Sequence, residues 1–125
     1  MKEKIHTRFA PDAIGTYSQA VKSGSTIYFS GQIPLNPDTM NLVTGDLAAQ
    51  ASQVFTNLQE VARAAGGSLN QMVKLAIFLT DLTHFPIVNE VMAEFFSEPY
   101  PARSTVQISA LPRGAQIEVD AIMVL

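Results

Sequence analysis

Met72-Val73-Lys74-Leu75-Ala76-Ile77-Phe78-Leu79 is apolar at every position except Lys74. Eight such residues are too few for an ordinary helix and show no polar alternation, so the run reads as an interior strand buried on both faces. Such a strand needs covering elements on either side of it in the chain, and the sequence supplies them. Upstream, Leu47, Ala51, Val54, Phe55, Leu58, Val61 and Ala62 recur at three- and four-residue steps, the buried stripe of an amphipathic helix. Asp46 is suited to cap that helix, which runs to about Ala65, and Gly66-Gly67 ends it. Downstream, a second helix is expected over His84 to Ser97, capped by Thr83, with Phe85, Val88, Met92, Phe95 and Phe96 inward. Pro86 falls in its first turn, where a missing N–H is tolerated.

Further strands are expected at both ends. Residues 3–9 form a short one, Phe9 to Tyr17 a loop, and Ser18–Lys22 with Thr26–Ser30 a hairpin turning at Ser23-Gly24-Ser25. Gly31 to Gly45, rich in Pro, Asn and Asp, is a long connection. After Tyr100-Pro101 comes a strand over 103–109, with Arg103, Thr105 and Gln107 on one face and Ser104, Val106 and Ile108 on the other. A loop through Pro112-Arg113-Gly114 leads to a last strand over 116–124. It places Ile117, Val119, Ala121 and Met123 on one face, Glu118 and Asp120 on the other. The order β-β-β-α-β-α-β-β implies one α+β domain over residues 1–125, a mixed sheet with two helices on one face.

Bulk composition narrows the function classes. The chain has 125 residues, 47% hydrophobic and 15% charged, with a net charge of −3. So apolar a small chain invites association with further copies. The acidic balance and the absence of a Lys/Arg cluster argue against a nucleic-acid partner. There is no cysteine, hence no disulfide framework or thiol nucleophile. No apolar run approaches the ~20 residues of a membrane span, and the start of the chain lacks the apolar core of a signal peptide. These features suggest a cytoplasmic protein without a membrane partner.

Most catalytic constellations find no support. His6 and His84 are the only histidines, far apart and outside any metal-ligand spacing, so no metal is expected. No GxSxG elbow is present, and Gly66-Gly67 follows a helix, whereas a phosphate cradle precedes one. Ser30-Gly31 ends a strand, where glycine serves either a close approach of ligand to backbone or only a turn. Arg103 and Glu118 remain, each a charge within a largely apolar strand, with Asp120 beside the glutamate. They fit either a structural ion pair or a site in which arginine clamps a carboxylate and glutamate handles a water. Without metal or nucleophile, such machinery suits an electrophile already prone to hydration, such as an imine.

Several segments together carry a family resemblance: Ala10 to Gln19, Phe29-Ser30-Gly31-Gln32-Ile33-Pro34, Gln50 to Leu58, Phe78 to Leu82 and Val88-Asn89-Glu90. Most specific are Pro101-Ala102-Arg103-Ser104, Leu111-Pro112 and Ile117-Glu118-Val119-Asp120-Ala121. Along essentially its whole length the chain resembles the reactive intermediate deaminase family (RidA/YjgF, also called endoribonuclease L-PSP). The resemblance implies a fold like Bacillus chorismate mutase, with the last strand inside the sheet, and a homotrimer with ligand sites between subunits. It implies cofactor-free hydrolysis of enamines and imines such as 2-aminoacrylate, 2-iminopropanoate and 2-iminobutanoate to 2-keto acids and ammonia. By the same resemblance Arg103 would hold the substrate carboxylate and Glu118 would position water. Tyr17, Ser30, Gly31, Phe85, Asn89 and the backbone at Thr105 would shape the cleft. A non-catalytic ligand-binding, chaperone-like or regulatory trimer is the alternative role within the family. The chain departs from the family pattern in having Thr105 where many deaminases have cysteine, and Asp120 where glutamate is commoner.

Overall fold

The computed structural model describes residues 1–125. Six strands form one sheet: β1 (Lys2–Ile5), β2 (Ala20–Ser23), β3 (Thr26–Gln32), β4 (Met72–Leu79), β5 (Ala102–Gln107) and β6 (Ile117–Val124). Their order across the sheet is β1-β2-β3-β6-β4-β5. Two helices, α1 (Leu47–Ala64) and α2 (Phe85–Phe95), pack on each other and on one face of this sheet. The architecture is the expected mixed α+β arrangement. Only the β4–β5 pair is parallel, because α2 carries the chain back across the sheet between them. The last strand lies between β3 and β4, antiparallel to both.

α1 forms where its periodic apolar residues lie. Asp46 accepts a hydrogen bond from the Ala49 amide, and Leu47, Ala51, Val54, Phe55, Leu58, Val61 and Ala62 are all buried. Gly66, at φ +91°, takes the left-handed turn that stops the helix. The core sits between the helices and the covered sheet face, where Phe55 meets Phe95 and Phe96 with ring centroids 5.6 Å away in each case. Ile27, Leu75, Ile77, Ile117 and Val119 close it from below. No helix is long and apolar enough to cross a membrane.

Several elements differ from the sequence expectation. β2 begins at Ala20, not Ser18, and β3 runs on through Gly31 to Gln32 because a bulge keeps it paired with β6. β1 stops at Ile5 because the segment after it is gripped by Gln19 rather than by a neighbouring strand. The Gln19 amide donates to the carbonyls of Thr7, Ala10 and Pro11, and its Oε1 accepts the Thr7 N–H at 2.7 Å. Thr83 does not cap α2. Asp81 instead accepts from the Thr83 amide and caps a 3-10 turn, Leu82–His84, that feeds the helix. α2 ends at Phe95 and β5 at Gln107, both short of the expected bounds. Finally, β4 is buried on one face only. Met72, Leu75, Ile77 and Leu79 are covered, while Ala76 and Phe78 are only half-buried on a face no element of the chain overlies.

Candidate active site

Strand register decides where the charged residues go. Leu75 of β4 stands opposite Arg103 of β5 on one side and Ala121 of β6 on the other. Residues paired across neighbouring strands project to the same face. Arg103 therefore shares the helix-covered face with Leu75 and Ala121. Phe78 stands opposite Val106 and Glu118, so Glu118 projects to the open face, as does Asp120 opposite Ala76. Within one chain the arginine and the two acids occupy opposite faces of the sheet. Two acids near a single arginine, as the neighbouring Glu118 and Asp120 suggested, do not occur within the chain. An ion pair between Arg103 and Glu118 within the chain is likewise ruled out.

Arg103 lies on the outermost strand beside α2. Its guanidinium carbon sits 4.8 Å from the centroid of the Phe85 ring, and Nη1 donates to Met92 Sδ at 3.3 Å. No carboxylate faces it; the one salt bridge in the chain joins Arg63 to Glu60. Asn89, Met92, Tyr100 and Pro101 line a cleft of about 280 Å³ with it. Thr105, two residues on and on the same face, has a buried hydroxyl with no hydrogen-bond partner. Arg103, Phe85, Asn89 and Thr105 thus belong to one half of the expected set.

Tyr17, Ser30, Gly31 and Glu118 form the other half, lining a cavity of about 510 Å³ at the far end of β3. A bulge shapes it. Phe29 pairs with Ala121 but Gln32 with Val119, so three steps on β3 match two on β6, and both Phe29 and Gln32 face the core. Bulges of this kind re-aim side chains beside functional sites. Gly31 sits within the bulge, and Glu118 packs directly over it. A methyl group on Gly31 would lie 2.8 Å from Glu118 Cδ and 3.1 Å from Oε1. Ser30 Oγ donates to the Ser18 carbonyl at 2.6 Å, and Tyr17 Oη accepts the Ile14 N–H at 3.2 Å. Burial, and secondarily the neighbouring Asp120, raises the Glu118 carboxyl above the usual glutamate range. Burial raises Asp120 as well.

Sequence reasoning missed several residues of these clefts. Met92, expected as core, is also the sulfur partner of Arg103, and Tyr100 and Pro101 wall that cleft. Asp12, Ile14 and Arg113 wall the other. Gln19 is a positioning residue, fixing the 7–11 segment that borders the Glu118 cavity. Nothing in spacing or periodicity separates these from ordinary loop or core residues.

A mixed sheet-and-helix fold with an unpaired arginine in one cleft and a half-buried glutamate in another defines a class of small-ligand protein. Residues 7–125 match the family model described as Endoribonuclease L-PSP. The chain is 46% identical to the 2-iminobutanoate/2-iminopropanoate deaminase of Dermatophagoides farinae over 99% of its own length and 97% of that protein. It is 51% identical to Protein DfrA of Myxococcus xanthus, covering 98% of this chain and 95% of that one. The crystal structure of RidA from the Antarctic bacterium Psychrobacter sp. PAMC 21119 superposes with a TM-score of 0.95 at 51% identity, covering 98% and 99% of the two chains. The chain belongs to the RidA/YjgF family, with its chorismate mutase-like fold.

Two outcomes follow from this geometry. Gly31→Ala should fold normally, since the group it displaces is a flexible carboxyl. It should push the Glu118 carboxyl off its seat over the bulge and change the pH at which that carboxyl titrates, as carboxyl NMR shifts across pH will read; an unchanged titration would contradict this contact. Glu118→Gln should melt at a higher temperature than wild type at neutral pH. A carboxyl whose folded pKa is raised stabilises the fold only while protonated, and that stabilisation is lost as pH rises through the folded pKa. The difference in Tm should therefore close as pH falls below it, which thermal melts across pH will read.

Proposed function

We propose that this protein hydrolyses small carboxylate-bearing imines and their enamine tautomers to 2-keto acids and ammonia. The observation that carries the reading is the unpaired Arg103. A guanidinium held by a ring face and a thioether, with no acid within the chain, is poised for a bidentate anionic ligand. The kinship with a 2-iminobutanoate/2-iminopropanoate deaminase at 46% identity supports the choice of substrate.

The complete site is assigned to the junction between two copies, arranged as a homotrimer. Support comes from the opposed faces of Arg103 and Glu118, and from the uncovered sheet face. That face presents Phe78 and Ala76 half-buried together with Tyr28 and Val106, 52% and 44% exposed. An apolar sheet face requires a covering layer, and a second copy supplies one.

In this arrangement Arg103 of one copy binds the substrate carboxylate beside the backbone of Thr105, with Phe85 and Asn89 bordering it. Tyr17, Ser30, Gly31 and Glu118 of the adjacent copy enclose the imine carbon. Water attacks that carbon as Glu118 takes its proton; the C–O bond forms, the π electron pair moves to nitrogen, and Glu118 passes the proton it took to that nitrogen. Glu118 then takes the hydroxyl proton of the resulting carbinolamine and delivers it to nitrogen as the C–N bond breaks, which leaves the keto oxygen, ammonia and an ionised Glu118. A carboxyl raised by burial suits both directions of transfer better than a fully solvated one.

The test couples a dehydratase that generates 2-aminoacrylate to the purified protein and follows decay of the imine. Wild type should accelerate decay. Arg103→Ala should lose roughly 2–5 kcal/mol of transition-state stabilisation, on the order of 30- to several-thousand-fold in rate. No acceleration by wild type, or full activity in Arg103→Ala, would overturn the reading. Tight 2-keto acid binding without imine turnover would assign a binding role instead.

A further inference from the structure

Arg113 has no place in the chemistry above, yet it lines the same cavity as Glu118 and Gly31. Its backbone is held at φ 61°, ψ 15°, the left-handed region that ordinary side chains avoid. Only one other residue with a side chain does this, Met40 at φ 60°, and the two are joined. Arg113 Nη1 donates to the Met40 carbonyl at 3.2 Å. Two distant loops, each in an unfavourable conformation, thus meet to fix one guanidinium at the cavity wall. Such backbone outliers tend to gather at ligand sites.

That guanidinium is anchored but unspent. The carbonyl uses one of its five N–H groups, and no carboxylate pairs with it. Nor does it form an ion pair with Glu118. Asp12 also lines the cavity, so an anion gains there only by direct contact with Arg113.

We propose that Arg113 is a specificity residue that binds a second anionic group, making imines of dicarboxylic amino acids preferred substrates of the site. This rests on the reading of that site as an imine hydrolase. Arg103 takes the carboxylate next to the imine carbon, and Arg113, across the cleft, takes the distal one. A neutral side chain makes no use of the second guanidinium.

The experiment generates 2-iminobutanoate from 2-aminobutanoate, or the dicarboxylic imine from aspartate, with an amino-acid oxidase, and measures kcat/KM for each imine. Wild type should turn over both. Arg113→Ala should lower the ratio of dicarboxylic to monocarboxylic kcat/KM by at least tenfold, chiefly through KM, and Arg113→Lys should restore part of it. Calorimetry should show the same change in relative affinity for the corresponding keto acids. An equal fall with both substrates, as expected if Arg113 only ties down the Met40 loop, or no change in the ratio, would overturn the proposal. Turnover of 2-iminobutanoate alone by wild type would also overturn it while leaving the imine-hydrolase reading intact. Turnover of neither imine would overturn both.

Discussion

Side chains alternate between the two faces of a strand, and in this sheet that alternation stays in register across β6, β4 and β5 from Lys74 to Leu79. Ala121, Leu75 and Arg103 form one continuous row, and Glu118, Phe78 and Val106 another on the opposite face. The position of β6 makes this possible. Inserted between β3 and β4, it brings Glu118 against the bulge of β3 while leaving Arg103 on the outer strand. Had β6 paired with β5 as a hairpin, neither cleft would have its present walls.

The covered face and the open face divide the work. Under the helices, the row of fully buried aliphatics secures the fold, and the arginine emerges only where that row reaches the edge of the sheet. On the open face, a carboxyl sits among half-buried apolar groups, which raises its pKa and costs stability. The compensation lies in the core beneath, where Phe55, Leu58, Leu75 and Ile77 are essentially inaccessible to solvent. Strain follows the same division. The bulge at Ser30-Gly31 and the left-handed Arg113 and Met40 all lie around the Glu118 cavity or its loops, away from the core.

Much of this was legible in the residues themselves. The stripe from Leu47 to Ala62 identified α1 and its buried face, and the alternation from Ile117 to Met123 placed Glu118 and Asp120 together on the other side of β6. The apolar run from Met72 to Leu79 identified the interior strand, but not that one of its faces stays open within the chain. A single sequence carries no information on which strands are neighbours, so physics alone did not reveal that Arg103 and Glu118 face apart. The insertion of β6 came from the family resemblance and is what the sheet order displays. The Gln19 clamp and the partner of Arg113 arise from contacts between distant loops, which leave no periodic trace.

The central claim, that a working site takes Arg103 from one copy and Glu118 from another, can be tested by mixing two inactive variants. Arg103→Ala and Glu118→Gln would be unfolded together in equal amounts, refolded, and assayed for imine hydrolysis. In a randomly mixed trimer about a quarter of the junctions carry both intact residues, so activity should return to about a quarter of wild type. If both residues serve the same chain's site, every copy lacks one of them, and the mixed oligomers would stay as inactive as the separate variants.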